Sequence, residues 1–510
     1  MWSQLAAAVG VVIATYVFFH ALLHVTHDSR EPPLVATSIP YIRPILGMLR
    51  QSSRYHNYLR DKYSVPIFTL RLPFTRLYIA TSASLIPAVQ RQYRTLSFYP
   101  VQNRVIAKLA SLSKEAIRLV TEDVDDDVGF IPGFFKALYP TLTGTMLDTL
   151  NQRTANVMVS EFDKFAVGGP TVITYATTDG IYGPYNPLRD PDILAAYRVY
   201  EAKAMTLVVG ILPTIFASEA IKAREFLWKK YYAFFAQNCH LEGSDYIIRH
   251  YAYMLKRGLG RVDAAKLEMS SLFPLISNTI PTAFWLIYRI FSSTAVLEDC
   301  RREVSRAVSE KNGIFLIDAS VIKDSCPILL STYQEVLRFH SMATSVRVAL
   351  EDHLLDGKYL IKKGGIVMIP GPVQHSSAAI WGDDVAEFKH TRFVKSANTK
   401  HYNPNPVAFR GFGGGMTLCP GRHFATTEIL LFATLLMLRF DVRPRLANEA
   451  TKWPMPPTDK STLASAMEQP GHDIDIELVP LLPQQKRRVV FTNNTHHNRT
   501  ELVAEDIPSK

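Results

Sequence analysis

Hydrophobic and polar positions divide this 510-residue chain into four regimes. From Leu5 to Val25 nearly every residue is apolar, and no Asp, Glu, Lys or Arg occurs between Met1 and His27. That length predicts a helix able to cross a bilayer core of ~30 Å. A signal peptide is the competing reading, but the charged n-region is missing and the apolar run is long for an h-region. With Arg30, Arg43, Arg50 and Arg54 behind it, the segment is expected to be an uncleaved single-pass anchor that leaves the body on the cytosolic side. Pro32, Pro33, Pro40 and Pro44 follow, too dense to continue a helix, and predict a stiff connector.

Beyond the connector, short β-rich runs such as PIFTLRL and RLYIAT between about 66 and 90 predict a small sheet near the N-terminus. Helical spacing then dominates, in YPTLTGTMLDTLNQRTANVMVSEF, AREFLWKKYYAFFAQN and EMSSLFPLISNTIPTAFWLIYRIF. The turn-rich DGIYGPYNPLRDP between Asp179 and Pro191 predicts a loop between helices. From Gln485 the chain is polar and without apolar period, which predicts a mobile tail. The expected organisation is an anchor over 1–27, a proline-rich hinge over 28–47, a mainly α body with minor β over 48–484, and a flexible tail over 485–510.

Composition narrows the class only a little. A hydrophobic content of 47% with mean hydropathy +0.03 describes a folded body with some membrane character. The net charge of +10, spread over 20% charged residues without a basic-aromatic stripe, argues against nucleic acid and suits a membrane surface or an acidic protein partner. Four scattered cysteines, Cys239, Cys300, Cys326 and Cys419, form no CxxC pair, which speaks against a zinc site and a disulfide framework. Asn493 and Asn498 sit in N-x-T sequons that a cytosolic body never presents for glycosylation.

One cysteine has a chemical setting. Gly411 to Arg422 read GFGGGMTLCPGR, a glycine run that delivers Cys419 to the start of an apolar helix from about Gly421 to Leu438. Glycines 413, 414 and 415 let the backbone turn sharply and lie against a flat macrocycle. Pro420 suits the first helical turn, and the positive helix end favours a thiolate. A lone cysteine beside glycines is more often a buried core thiol next to a plain turn. Phe412, Gly415, Cys419, Pro420, Gly421 and Arg422 at these spacings, followed by His423-Phe424-Ala425, are more specific: here the chain resembles the cytochrome P450 family of the microsomal type. The resemblance implies the P450 fold and haem b, its iron ligated by Cys419 with Phe412, Gly415 and Gly421 shaping the loop.

Further residues follow from that resemblance. Glu335 and Arg338, three apart on one helix face, look like the family's ExxR pair, with Arg392 in FKHTRF closing a structural triad. Arg347 in TSVRVAL aligns with an arginine used near a haem propionate; a solvent-facing strand residue is the bland alternative. Two departures stand beside it: the position two before the cysteine, commonly Arg or His, is Thr417, and no W-x-x-x-R occurs near 100–120, so propionate anchoring must be rearranged. Over the distal face, Leu275-Ile276-Ser277-Asn278-Thr279 replaces the usual acid and threonine. Asn278 cannot ionise and can only order a water or dioxygen, while the Thr279 hydroxyl can pass a proton. Pro281 is expected to free the Ser277 carbonyl and open a local groove. The Asn-Thr-x-Pro sequence and YGPYNP resemble the branch of sterol 7α/12α-hydroxylases and prostacyclin synthase, with related fungal secondary-metabolism enzymes.

The expected function is a haem-thiolate monooxygenase at the endoplasmic reticulum membrane that oxidises a lipophilic molecule of terpenoid, sterol or polyketide type. Gly258-Leu259-Gly260 runs on to Asp263 without the last glycine of GxGxxG, so electrons must come from a separate NADPH-cytochrome P450 reductase. A reductase-independent isomerase or dehydratase of a peroxide substrate is the alternative, and a noncatalytic haem carrier a third. The apolar run AMTLVVGILPTIFASEAI is read as a membrane-facing access route, with Phe273, Leu275 and Ile276 as pocket candidates; all fit a plain core equally well.

Overall fold

The computed structural model describes residues 2–506 apart from 36, 52, 123–128, 164–169, 312–313, 395–404, 446–452, 460–464, 482–487 and 493–501. The N-terminal apolar run is one helix, Trp2–Val25, and its stretch from Gln4 is long and apolar enough to cross a membrane. Leu5, Val12, Ile13 and Phe18 are exposed along it, as expected of side chains meant for an apolar surround rather than for the body.

The proline-rich stretch is stitched to the body instead of standing free. Val35 N–H donates to Thr69 O at 3.0 Å, Thr69 N–H to Pro33 O at 2.8 Å, and Thr69 Oγ1 to Pro32 O at 2.7 Å. The Glu31 carboxylate is buried between Arg76 and the Tyr78 hydroxyl, at 3.2 and 2.6 Å. Contrary to the expectation that the prolines bar helix through residue 47, Ile42–Gln51 is helical. Pro44 sits in its first turn, where the missing N–H costs nothing.

The early β runs form one end of a five-stranded sheet, in the order Ile67–Leu72, Thr75–Ala80, Ile366–Pro370, Thr344–Ala349 and Leu96–Ser97. Thr75–Ala80 pairs antiparallel with Ile67–Leu72 and parallel with Ile366–Pro370. Helices make up the rest. Gly144–Asp163 packs on Pro170–Tyr182, and Pro191–Ala202 and Arg261–Ile276 both pack on Ser218–Ala236. The stretch Asp179–Pro191 is less open than its turn residues suggest. Helix continues to Tyr182 and two short 3-10 turns follow, locked by an ion pair between Arg189 and Asp179.

Two large apolar clusters fill the helical part of the body, and two smaller ones, around Ile369 and Phe68, lie at the sheet. Of the large pair, one gathers Leu227, Tyr231, Leu267, Leu272 and Ile276, and the other Trp285, Tyr333, Val336, Leu430 and Leu435. Ile280 packs against both, and Phe424 belongs to the first although its helix, Arg422–Arg439, is otherwise in the second. The long helix Arg261–Phe291 and the cysteine helix therefore meet where the two clusters adjoin.

The C-terminal segment departs from the expected tail. Arg488–Thr492 is a strand in parallel pairing with Ile314–Asp318, with Val490 opposite Leu316, and Val489 and Phe491 are buried. Leu502 and Val503 are buried as well. These apolar groups are too short and too widely spaced to show a period, yet two strand residues and one dipeptide are enough to fasten a chain to an existing core. The sequons and the remaining tail positions lie outside the described residues.

Candidate active site

The cysteine loop is built from backbone conformations only glycine adopts without strain. Gly413 and Gly415 have φ of +78° and +58°. A Cβ on Gly413 would meet the Thr417 carbonyl oxygen at 2.7 Å. The turn is pinned by the Cys419 N–H, which donates to Phe412 O at 3.0 Å, and by Gly413 N–H to Arg410 O at 3.1 Å. The helix begins at Arg422 with Gly421 as its cap, so Pro420 lies in the lead-in turn and not at the first helical position. Burial pushes the Cys419 thiol up, while the Gly421 N–H and the nearby Arg422 charge pull it down. These last two are the features that stabilise a thiolate once a cation sits above the sulfur. Cys300 has only a 3.8 Å contact with Thr332 Oγ1 and Cys326 nothing that pulls it down, and burial pushes both up to about 12.

Beside the loop, Arg347 and Arg410 share one buried site. Arg347 bonds Thr417 Oγ1 at 2.9 Å and Val346 O at 2.7 Å, and Arg410 reaches Ser345 Oγ at 3.3 Å. Arg410 Nε is buried without a partner; the Glu505 carboxylate acts on Arg410 through its charge, and neither guanidinium forms a direct salt bridge among the described residues. Burial lowers both to about 10, and Arg410 lowers Arg347 further. Two enclosed guanidiniums close enough for one to lower the other suit an anionic partner. A macrocycle lying on the cysteine loop and bearing two carboxylates is such a partner, so the residues present suit haem. Thr417, where Arg or His is common in the family, accepts from Arg347, and Arg410 adds a second positive charge nearby. The sequence reading missed Arg410 although it opens the RGFGGG run.

The acid-base pair three residues apart is a fully enclosed cluster. Glu335 receives Arg338 Nε and Nη2 at 2.7 and 2.8 Å, Arg392 Nε at 3.0 Å and the Lys389 N–H at 3.0 Å. Other guanidinium donors end on the carbonyls of Trp381, His375, Val385, Asp384 and Glu387 and on Asp384 Oδ1. One carboxylate thus ties the helix Pro327–His340 to the segment that leads into the cysteine loop.

On the opposite side, the long helix breaks between Ile276 and Thr279. Pro281 leaves the Ser277 carbonyl without a helical donor, as expected, and Gln469 Nε2 takes its place at 3.2 Å. Asn278 Oδ1 accepts from the Ala466 N–H at 2.8 Å and from Ser465 Oγ at 3.3 Å. Thr279 Oγ1 donates to Leu275 O at 3.0 Å, which leaves its lone pairs as acceptors. The groove foreseen at Pro281 is therefore sealed by residues 465–469, which the sequence reading did not connect to it. Phe273 and Ile276 are buried in the first cluster, and Leu275 packs against it. In the run 204–221, Ala204 and Leu207 are buried while Val209, Ile211, Leu212, Ile215 and Phe216 are exposed.

Comparisons with known proteins agree with this geometry. The cytochrome P450 family model matches residues 272–466. Over 495 residues the chain is 30% identical to the cytochrome P450 monooxygenase nodJ of Hypoxylon pulicicidum, covering 92% of this chain and 94% of that protein. It is 32% identical over 233 residues to cholesterol 7-alpha-monooxygenase of Cricetulus griseus, covering 42% and 45% of the two. The solved structure of a retinoic acid bound cyanobacterial CYP120A1 superposes with a TM-score of 0.67 at 18% identity, covering 89% of this chain and all of that one.

Proposed function

Because the chain belongs to the cytochrome P450 family of haem-thiolate monooxygenases, we propose that it oxidises a C–H bond of a lipophilic terpenoid, sterol or polyketide-like molecule in secondary-metabolite biosynthesis. Cys419 would hold haem, which would supply dioxygen activation, one oxygen atom entering the substrate and the other leaving as water with two electrons and two protons consumed. The observation that carries this reading is the buried pair Arg347 and Arg410 beside a glycine turn that presents Cys419.

The chain's own residues have separable tasks. Phe412, Gly415 and Gly421 shape the loop that carries the sulfur, and Arg347 with Arg410 would hold the haem propionates. Glu335, Arg338 and Arg392 fix the body of the site and touch no substrate. On the distal side, the Asn278 amide orients a water or dioxygen through Nδ2, and the Thr279 hydroxyl, once rotated away from Leu275 O, relays a proton. The helix Trp2–Val25 and the exposed apolar residues between Val209 and Phe216 support a substrate route against a bilayer, proposed as that of the endoplasmic reticulum with the body in the cytosol. An NADPH-cytochrome P450 reductase delivers the electrons.

Two measurements test the reading. The ferrous carbonyl complex of the purified protein is expected to show the red-shifted Soret band of a thiolate ligand, lost in Cys419→Ser. Turnover of candidate lipophilic substrates is expected to require NADPH and reductase. Product formation from a peroxide substrate without either would establish the isomerase or dehydratase alternative instead.

A further inference from the structure

We propose that Asp506, carried back to the cysteine loop by the C-terminal segment, is a positioning residue that sets the charge beside the Cys419 thiolate through Arg422. The proposal rests on reading Cys419 as the iron ligand. Arg422 Nη1 donates to the Cys419 carbonyl at 3.2 Å, and its Nη2 and Nε reach Asp506 Oδ1 at 2.6 and 3.2 Å. The Asp506 side chain is only 2% exposed. His423 Nε2 lies 3.6 Å from the same carboxylate, and the Leu502 N–H donates to its other oxygen at 3.1 Å.

This contact is built and not incidental. Leu502 and Val503 are buried, Val503 in the same cluster that holds the cysteine helix, so an apolar anchor delivers the carboxylate. The adjacent Glu505 accepts the Gly415 N–H at 2.6 Å, so the segment grips the loop on both sides of Cys419. A guanidinium enclosed next to the sulfur and left unpaired would draw electron density from the thiolate. Paired with Asp506, it keeps its hydrogen bond to the Cys419 carbonyl while its charge is offset. Groups that touch a metal ligand rather than the metal commonly tune its potential and affinity. The last described residues thus complete the proximal side of the site.

Redox titration of the full-length haem protein tests this. Asp506→Asn is expected to move the ferric/ferrous potential to more positive values, because an uncompensated Arg422 favours the more negative ferrous state. Asp506→Glu is expected to keep the wild-type potential, and Leu502→Ser with Val503→Ser, which releases the anchor, is expected to shift it in the same direction as Asp506→Asn. An Asp506→Asn protein that holds haem, shows a thiolate carbonyl spectrum and titrates at the wild-type potential overturns the proposal. If that variant does not retain haem, the double variant Asp506→Asn with Arg422→Gln decides. Recovery of haem at the wild-type potential supports the charge role, and failure to recover it refutes it. An error in the reading of Cys419 would show separately, as a wild-type protein without the thiolate spectrum.

Discussion

Asn278 and Ala466 are joined by a 2.8 Å hydrogen bond from the Ala466 backbone N–H to the Asn278 side-chain oxygen. A backbone donor fixes which end of the amide is oxygen, so Nδ2 is the end left for a ligand. Asn278→Asp can still accept from Ala466 and Ser465 but offers no donor. It is expected to fold normally and to consume NADPH with less product per electron pair, measured as coupling. Asn278→Ala strands the Ala466 donor and is expected to lose about 1–3 kcal/mol of stability in thermal unfolding.

Glu335 accepts four hydrogen bonds and is completely buried between Arg338 and Arg392. Removing one partner leaves charge uncompensated in a dry interior, at about 3–5 kcal/mol. Glu335→Gln, Arg338→Leu and Arg392→Leu are each expected to yield protein with little haem, read as the ratio of Soret to protein absorbance. Retention of full haem by Arg392→Leu would contradict the structural role assigned to the triad.

Contiguous motifs were legible in the chain, and long-range closures were not. The glycine turn and the apolar anchor each carry their signal within about twenty residues, because loop conformation and bilayer length are local constraints. The break at Pro281 was legible for the same reason, since a missing N–H is a property of one residue. What fills the break was not: Gln469 and Ala466 reach residues 277 and 278 from far along the chain, and nothing in their own neighbourhood marks them. Arg410 was hidden because a buried cation is recognised only once its surroundings are known. The tail was misread because Val489, Phe491, Leu502 and Val503 bury against surfaces made elsewhere, without a period of their own.

Arg347 and Arg410 lead to a prediction with opposite signs for the two forms of the protein. In the absence of haem, both are enclosed cations whose burial opposes their charge. Replacing Arg410 with Met removes that burden, so the haem-free protein is expected to melt at a higher temperature than wild type. Haem affinity is expected to fall by about 1.5–3 kcal/mol, the value of a hydrogen bond to a charged group. Haem transfer to apomyoglobin measures the second effect and calorimetry the first. Arg347→Met is expected to behave alike.

Glu428 supplies a pH dependence unrelated to the iron. It lies within the apolar cysteine helix, buried, with one oxygen bonded by Thr177 Oγ1 at 2.5 Å and the other without a partner. Burial raises its carboxyl from 4.5 to about 8, against a smaller opposing effect of the Thr177 hydrogen bond. The unfolded chain therefore loses this proton near pH 4.5 and the folded protein keeps it to about pH 8. Across that window the folded state binds more protons, so stability falls as pH rises, and the loss is complete above pH 8. At about 1.4 kcal/mol for each pH unit, the ceiling is about 5 kcal/mol. Glu428→Gln keeps an acceptor for Thr177 and carries no ionisable proton. Thermal unfolding between pH 5 and 9 is expected to show wild type losing stability toward alkaline pH while Glu428→Gln stays flatter, the two nearly equal at pH 5. Parallel curves for the two proteins would mean that the carboxyl already ionises in the folded state at neutral pH.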